Sequence, residues 1–164
     1  EIEAPPEVVW HHVVTFDDLP EPEDRLFSTG IAYPTHATIE GRGVGAVRRC
    51  EFSTGAFVEP IRVWDEPHRL AFDVRSQPAA LEETAPFGSI EPPHVDSMFR
   101  SQRGEFELIE SGDGTTRLVG RTWYRQRIWP VSYWKAFSDR IIHRIHMRVL
   151  RHIEEKAESR GDEV

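Results

Sequence analysis

Glu59 is the side chain on which a chemical reading of this sequence turns. It sits in the run Phe57-Val58-Glu59-Pro60-Ile61-Arg62-Val63, where successive side chains of a strand point to opposite faces. If Phe57, Ile61 and Val63 face a covered side, Glu59 goes with them, and a carboxylate removed from water is costly unless paired or protonated. Two readings follow: a ligand-facing acid, or a side chain at a strand end or bulge beside Pro60 that reaches solvent or an arginine. Arg48 and Cys50 pose the same question on the neighbouring strand. Either Ala46, Arg48, Cys50 and Phe52 face inward, or Val47, Arg49 and Glu51 do. The first choice would set Arg48 against Glu59 inside the domain, offsetting both charges. Thr122 and Tyr124 share one face of a later strand. They could give a bound molecule its hydrogen-bonding end, with Tyr124 a second candidate acid or base.

Other chemistry finds less support. His143 and His146 lie three apart at helical spacing, but no third ligand is evident and zinc sites need three or four. Phasing the helix on Trp134, Ile141 and Ile145 puts His143 on the solvent side and His146 on the flank, while His152 returns to the buried side and could cap the end of a pocket. Gly41-Arg42-Gly43-Val44-Gly45 joins two strands instead of opening a helix and lacks the Lys-Ser or Lys-Thr of a phosphate loop. There is no Gly-x-Ser-x-Gly elbow. Cys50 is the only cysteine, so an internal disulfide and a cysteine-based zinc site are excluded, and a reducing cytoplasmic setting fits.

The elements that must carry these residues follow from periodicity. Ala4-Pro5-Pro6-Glu7 reads as a helix start, with Trp10, Val13 and Val14 as its apolar stripe. The acidic stretch 17–24 leads to a second short helix carrying Leu26 and Phe27. From about His36 to Ile128 the period is two, and turn residues divide it into six strands: 36–40, 46–53, 57–64, 69–75, 102–110 and 115–128. Ser111-Gly112-Asp113-Gly114 marks the last hairpin. The segment 76–96 holds Pro78, Pro86, Pro92 and Pro93 and matches no regular element. With Leu81, Phe87, Ile90, Val95, Met98 and Phe99 in and just after it, it is either a stiffened flap or a loop fixed to the surface. After Pro130 the period returns to 3.6, with Trp134, Phe137, Ile141, Ile145 and Val149 on one face of a helix reaching about Ser159. One domain over 1–160 with a disordered tail at 161–164 suits a chain of 164 residues.

Within the strands, Gly104, Phe106 and Leu108 alternate with Arg103, Glu105 and Glu107, and Leu70, Phe72 and Val74 with Asp73 and Arg75. The sheet therefore has one wet face and one covered face, and only the last helix is long and apolar enough to cover it. A formal net charge of -8 argues against a nucleic-acid partner. The basic row Arg140, Arg144, Arg148 and Arg151 reads as a salt-bridged, solvated helix face beside Glu154 and Glu155. No run of about 18 apolar residues is present, so no stable membrane insertion is expected. The acidic start Glu1-Ile2-Glu3 lacks the basic region of a signal peptide, and the missing initiator Met suggests a trimmed piece, for which a larger parent is possible.

Order and spacing of four signatures resemble the START-like, helix-grip superfamily of polyketide cyclases and lipid-transport proteins (SRPBCC). They are Ala4-Pro5-Pro6-Glu7-Val8-Val9-Trp10, Gly43-Val44-Gly45-Ala46, Trp64-Asp65-Glu66-Pro67-His68-Arg69-Leu70-Ala71-Phe72 and Thr116-Arg117-Leu118. The resemblance implies an α+β fold in which a curved antiparallel sheet of six to seven strands wraps a long C-terminal helix, with two short helices after the first strand. Of that first strand only Glu1 to Glu3 remain here. It also implies a cavity for a hydrophobic small molecule such as a lipid, polyketide or quinone, with no cofactor. On that reading Phe57, Ile61, Phe72, Phe106, Leu108, Trp134, Ile141 and Ile145 line it, alongside Arg48, Cys50, Glu59, Thr122 and Tyr124. The alternatives are a cyclase or dehydratase using Glu59 or Tyr124, and a non-catalytic interaction module whose helix and sheet close tightly on each other.

Overall fold

The computed structural model describes residues 1–81, 83–85, 88–90 and 99–161. Pro5, extended at φ -69° and ψ 156°, leads into helix α1 (Pro6–Val14), whose first position Pro6 occupies without losing a hydrogen bond. Its Val9, Trp10, Val13 and Val14 are buried. A single 3-10 turn follows at Phe27–Thr29, stopped by Gly30 at φ 92°, where a residue without Cβ enters the left-handed region freely. Then come β1 (Pro34–Glu40), β2 (Val47–Phe52), β3 (Gly55–Asp65), β4 (Arg69–Asp73), β5 (Glu83–Ala85), β6 (Gly88–Ile90), β7 (Phe99–Ser111) and β8 (Thr115–Gln126), and last helix α2 (Val131–Gly161).

Six strands form one open antiparallel sheet in the order β1-β2-β3-β4-β7-β8, and β5 and β6 pair with each other in a separate two-stranded sheet. Register shifts interrupt the ladders at Pro34/His36, Ile61/Val63 and Ser101/Arg103. Such bulges bend a strand and sharpen its twist. The wet face carries the charges that alternation places there: Glu105 of β7 takes ion pairs from Arg69 of β4 and Arg121 of β8.

Two expectations are corrected. Both short helices precede the first strand of the sheet; at the position expected for an earlier strand there is an isolated bridge, in which Ile2 exchanges two 2.9 Å backbone hydrogen bonds with Thr116. The segment after Ser76 is not without regular structure: it contains the β5–β6 hairpin, made of two runs of three residues that are too short to show a period. Phe87, Val95, Met98, Pro86, Pro92 and Pro93, and with them part of the flap reading, lie outside the described residues, as do 162–164.

The core is divided along α2. Val149, Ile153 and Ala157 are buried in one cluster with Val9 and Val13 of α1, Ile61 of β3, Leu70 of β4 and Leu108 of β7. Toward its amino end the same helix has exposed or only half-buried residues throughout. Its carboxyl half is therefore the packed lid expected from the sequence, and its amino half stands over the sheet without filling the space beneath.

Candidate functional site

That space is a cavity of about 540 Å3 between the covered face of the sheet and the amino half of α2. Strands β2, β3, β4, β7 and β8 each contribute to its wall, and Gln77 to Leu81 close one side. Gln77 holds this closing segment to β7, donating to the Phe99 carbonyl at 2.9 Å and accepting from the Ser101 amide at 2.8 Å.

Of the residues singled out from the sequence, Arg48, Cys50, Phe57, Glu59, Phe72, Phe106, Thr122, Trp134, Ile141 and Ile145 surround this cavity. Three do not. Ile61 and Leu108 point to the covered face as alternation requires, but at the end of the sheet where α1 and the carboxyl half of α2 are packed down, so they are core. Tyr124 lies in a separate depression with Gln102, Lys135 and Asp139. Its ring leans on Phe99 at 5.0 Å, and its hydroxyl donates to Asp139 of α2. Burial and that carboxylate push the Tyr124 phenol up to about 12.

Ala46, Arg48 and Cys50 face inward, the first of the two alternatives. Arg48 stands opposite Glu59 in the β2–β3 ladder, and Cys50 opposite Phe57. Strand β3 runs unbroken through Pro60, so Glu59 does not escape at a strand end; it meets its arginine inside. Arg48 is 2% exposed and Glu59 5%, and Arg48 Nη1 donates to Glu59 Oε2. Arg48 Nε also donates to the Val14 carbonyl at 3.1 Å, at the end of α1. Burial pushes the Glu59 carboxyl up from the ordinary carboxylate range, and Arg48 pulls against it. For Arg48, burial is the largest influence and acts to lower the value, but the charge and hydrogen bond of Glu59 together with Cys50 outweigh it, and the guanidinium holds its proton more tightly than usual. The Cys50 thiol is pushed up to about 12, chiefly by burial, which makes it an inert wall group.

His146 is the wall residue that sequence reasoning misplaced. It lines the cavity, with Nε2 2.8 Å from Thr122 Oγ1. Burial, with His143 adding to it, lowers its pKa and keeps the imidazole neutral. Phasing the helix on Trp134, Ile141 and Ile145 put it on the flank. Counting back from the buried Val149 and Ile153 at 3.6 residues per turn puts 142 and 146 at the centre of the inner face. His152 is buried beside the Phe16 ring, 6.2 Å away, and does not line the cavity. The basic row of α2 is not paired with Glu154 and Glu155 as expected. Arg144 grips Asp24 through both carboxylate oxygens, and Arg148 donates to the Pro20 and Pro34 carbonyls, strapping the acidic loop to the helix.

An α+β unit with a six-stranded open antiparallel sheet and a long C-terminal helix has solved counterparts. A protein from Nitrosospira multiformis matches with a TM-score of 0.54 at 18% identity, over 98% of this chain and 94% of its own. A crystal structure of a protein from Nitrosomonas europaea gives a TM-score of 0.54 at 14% identity, over 99% of this chain and 92% of its own. At these identities the likeness shows the fold alone. No protein-family model matches the chain, and no curated protein does.

Proposed function

We propose that this protein binds or carries a hydrophobic small molecule in the space between its sheet and the amino half of α2, in the manner of the START-like, helix-grip superfamily it resembles. The observation that supports this most is the cavity itself: about 540 Å3, walled by Phe57, Phe72, Phe106, Trp134, Ile141 and Ile145. That volume lies within the ~300–1,000 Å3 of small-molecule sites. The ligand is an apolar body with one neutral polar group, since Arg48 and Glu59 already neutralise each other and His146 with Thr122 offers an uncharged hydrogen-bonding pair. The buried free thiol of Cys50 fits a reducing cytoplasm.

Gly120 provides a clean test. A Cβ there would meet Phe106 at 3.5 Å and Leu150 at 3.9 Å, ordinary contacts, so a larger side chain grows into the cavity without a backbone clash. Gly120→Leu should fold, as read by circular dichroism, and lose most of its uptake of 1-aminoanthracene or of lipids detected by native mass spectrometry. Wild-type protein that takes up no lipophile in either assay would end the proposal.

The enzyme reading survives in an altered form. Glu59 is engaged by Arg48 and the Tyr124 hydroxyl by Asp139, so neither stands free for proton transfer. His146, neutral and on the wall, is the acid–base candidate that the geometry favours. His146→Gln would then abolish turnover of a cyclisable polyketone while leaving probe uptake intact; unchanged turnover would remove that role.

A further inference from the structure

Among the described residues, exposed large apolar side chains are concentrated in one segment. Trp129 is 84% exposed, Val131 52%, Tyr133 66% and Phe137 43%, all within nine residues from the end of β8 to the second turn of α2. The other two such residues described, Val44 and Ile109, lie elsewhere in the chain, in the turn after β1 and in β7. Tyr133, Trp134 and Phe137 stack edge to face, with centroids 5.5 and 5.7 Å apart, so the patch is a preformed aromatic ridge. It also borders the cavity, because Ile128, Trp134 and Phe137 belong to the cavity wall.

Along the sequence, the segment that carries this ridge has a charge opposite to that of the whole chain. From Arg125 to Arg140 there are four cations, Arg125, Arg127, Lys135 and Arg140, and one carboxylate, in a chain of formal net charge -8. The carboxylate, Asp139, is already engaged by Lys135 at 2.8 Å and by the Tyr124 hydroxyl.

We propose that the amino end of α2 is a docking surface for an anionic lipid bilayer, on which the protein lies with Trp129 and Tyr133 at the headgroup level and its basic side chains against lipid phosphates. Tryptophan and tyrosine favour that interface because each has an apolar body and a polar handle. No described helix is long and apolar enough to cross a membrane, so the contact is superficial. A protein partner fits less well. The centre of a protein interface is depleted of charged residues, whereas four cations share this segment with the ridge. Loading of the cavity from the bilayer is a consequence that rests on the ligand-carrier reading; the docking itself does not.

Flotation of the full chain with phosphatidylcholine vesicles containing or lacking phosphatidylglycerol tests this. The protein should float with the anionic vesicles, and raising the salt should release it. Each of Arg127→Gln and Lys135→Gln should weaken partitioning about fivefold. Trp129→Ser with Tyr133→Ser should abolish it while leaving uptake of 1-aminoanthracene unchanged, since neither residue lines the cavity. Absence of flotation, equal binding to neutral vesicles at all salt concentrations, or full binding by the double variant would each overturn the proposal. So would concentration-dependent self-association that the double variant abolishes, which would assign the ridge to contact between copies of the chain. Wild-type protein that floats but takes up no probe would sink the carrier reading and leave the docking surface standing.

Discussion

Arg48 shows what is needed to keep a full charge inside a small domain. It has a carboxylate partner in Glu59, a carbonyl acceptor at the end of α1, and the rings of Phe16, Phe72 and Phe106 at 5.6, 5.6 and 5.9 Å from its guanidinium carbon. Removing one partner from such a pair leaves the other uncompensated, which costs ~3–5 kcal/mol, whereas replacing both by apolar groups is often neutral. Arg48→Met should therefore destabilise by that amount in urea unfolding, and Arg48→Met with Glu59→Leu should recover most of it; a double variant as unstable as the single would refute this account. The histidines give a second prediction. Burial lowers the folded pKa of both His146 and His152, so below the unfolded value of about 6.5 the unfolded chain binds protons first. Their contribution is complete above that pH and is lost as pH falls through the folded values. Glu59, shifted upward, contributes with the opposite sign. The effect is thus isolated by variants: His146→Gln with His152→Gln should flatten the acid-side loss in melting temperature between about pH 7 and 5, and an unchanged slope would contradict it. The Arg48–Glu59 pair was legible beforehand because alternation sets the face and neighbouring strands set the distance. The fate of Tyr124 was not, since its partner Asp139 comes from an element whose rotation no strand pattern specifies.

At the scale of elements, the six sheet strands could be read almost to their ends because each alternates and each is bounded by Gly, Pro or Asp turns. The β5–β6 hairpin could not, having three residues per strand in a proline-rich stretch. Helix α2 was legible as a helix, but its phase was ambiguous: its amino half follows the row through Trp134 and Ile141, its carboxyl half the row through Val149 and Ile153. The face that meets the cavity is set by the packed half, which is how His146 was missed. The phase is held by the strap from α2 to the acidic loop, where Arg144 Nη1 lies 2.6 and 2.9 Å from the Asp24 oxygens. Arg144→Ala should accelerate amide exchange across 17–24 while leaving the exchange of 149–157 unchanged; equal protection in both proteins would show that the loop is held by other contacts. Close packing between strands gives a further prediction. The Phe72 ring lies over Gly104, where an added Cβ would come within 2.5 Å of it. Gly104→Ala must displace that ring and should cost ~1–3 kcal/mol in chemical denaturation.

For the whole molecule, occupancy of the cavity should register in global stability. A ligand present at a hundred times its Kd adds ~2.7 kcal/mol, which for a chain of this length raises the melting temperature by about 5–10 °C. A lipophile seen to bind by mass spectrometry that leaves the melting temperature unmoved would be bound to the surface, not in the cavity. The division of α2 into an anchored half and an overhanging half has a different kind of consequence. Residues that secure the domain, such as Ile153 and Ala157, are about two to four turns away from those that meet the void, such as Ile141 and Ile145. A side chain that already borders empty space forfeits few contacts when it is changed. Randomising 138, 141, 142 and 145 should accordingly yield mostly well-folded proteins, and on the ligand-carrier proposal these would differ in their preferences for guests, so that appetite could diverge between descendants while the architecture is inherited intact.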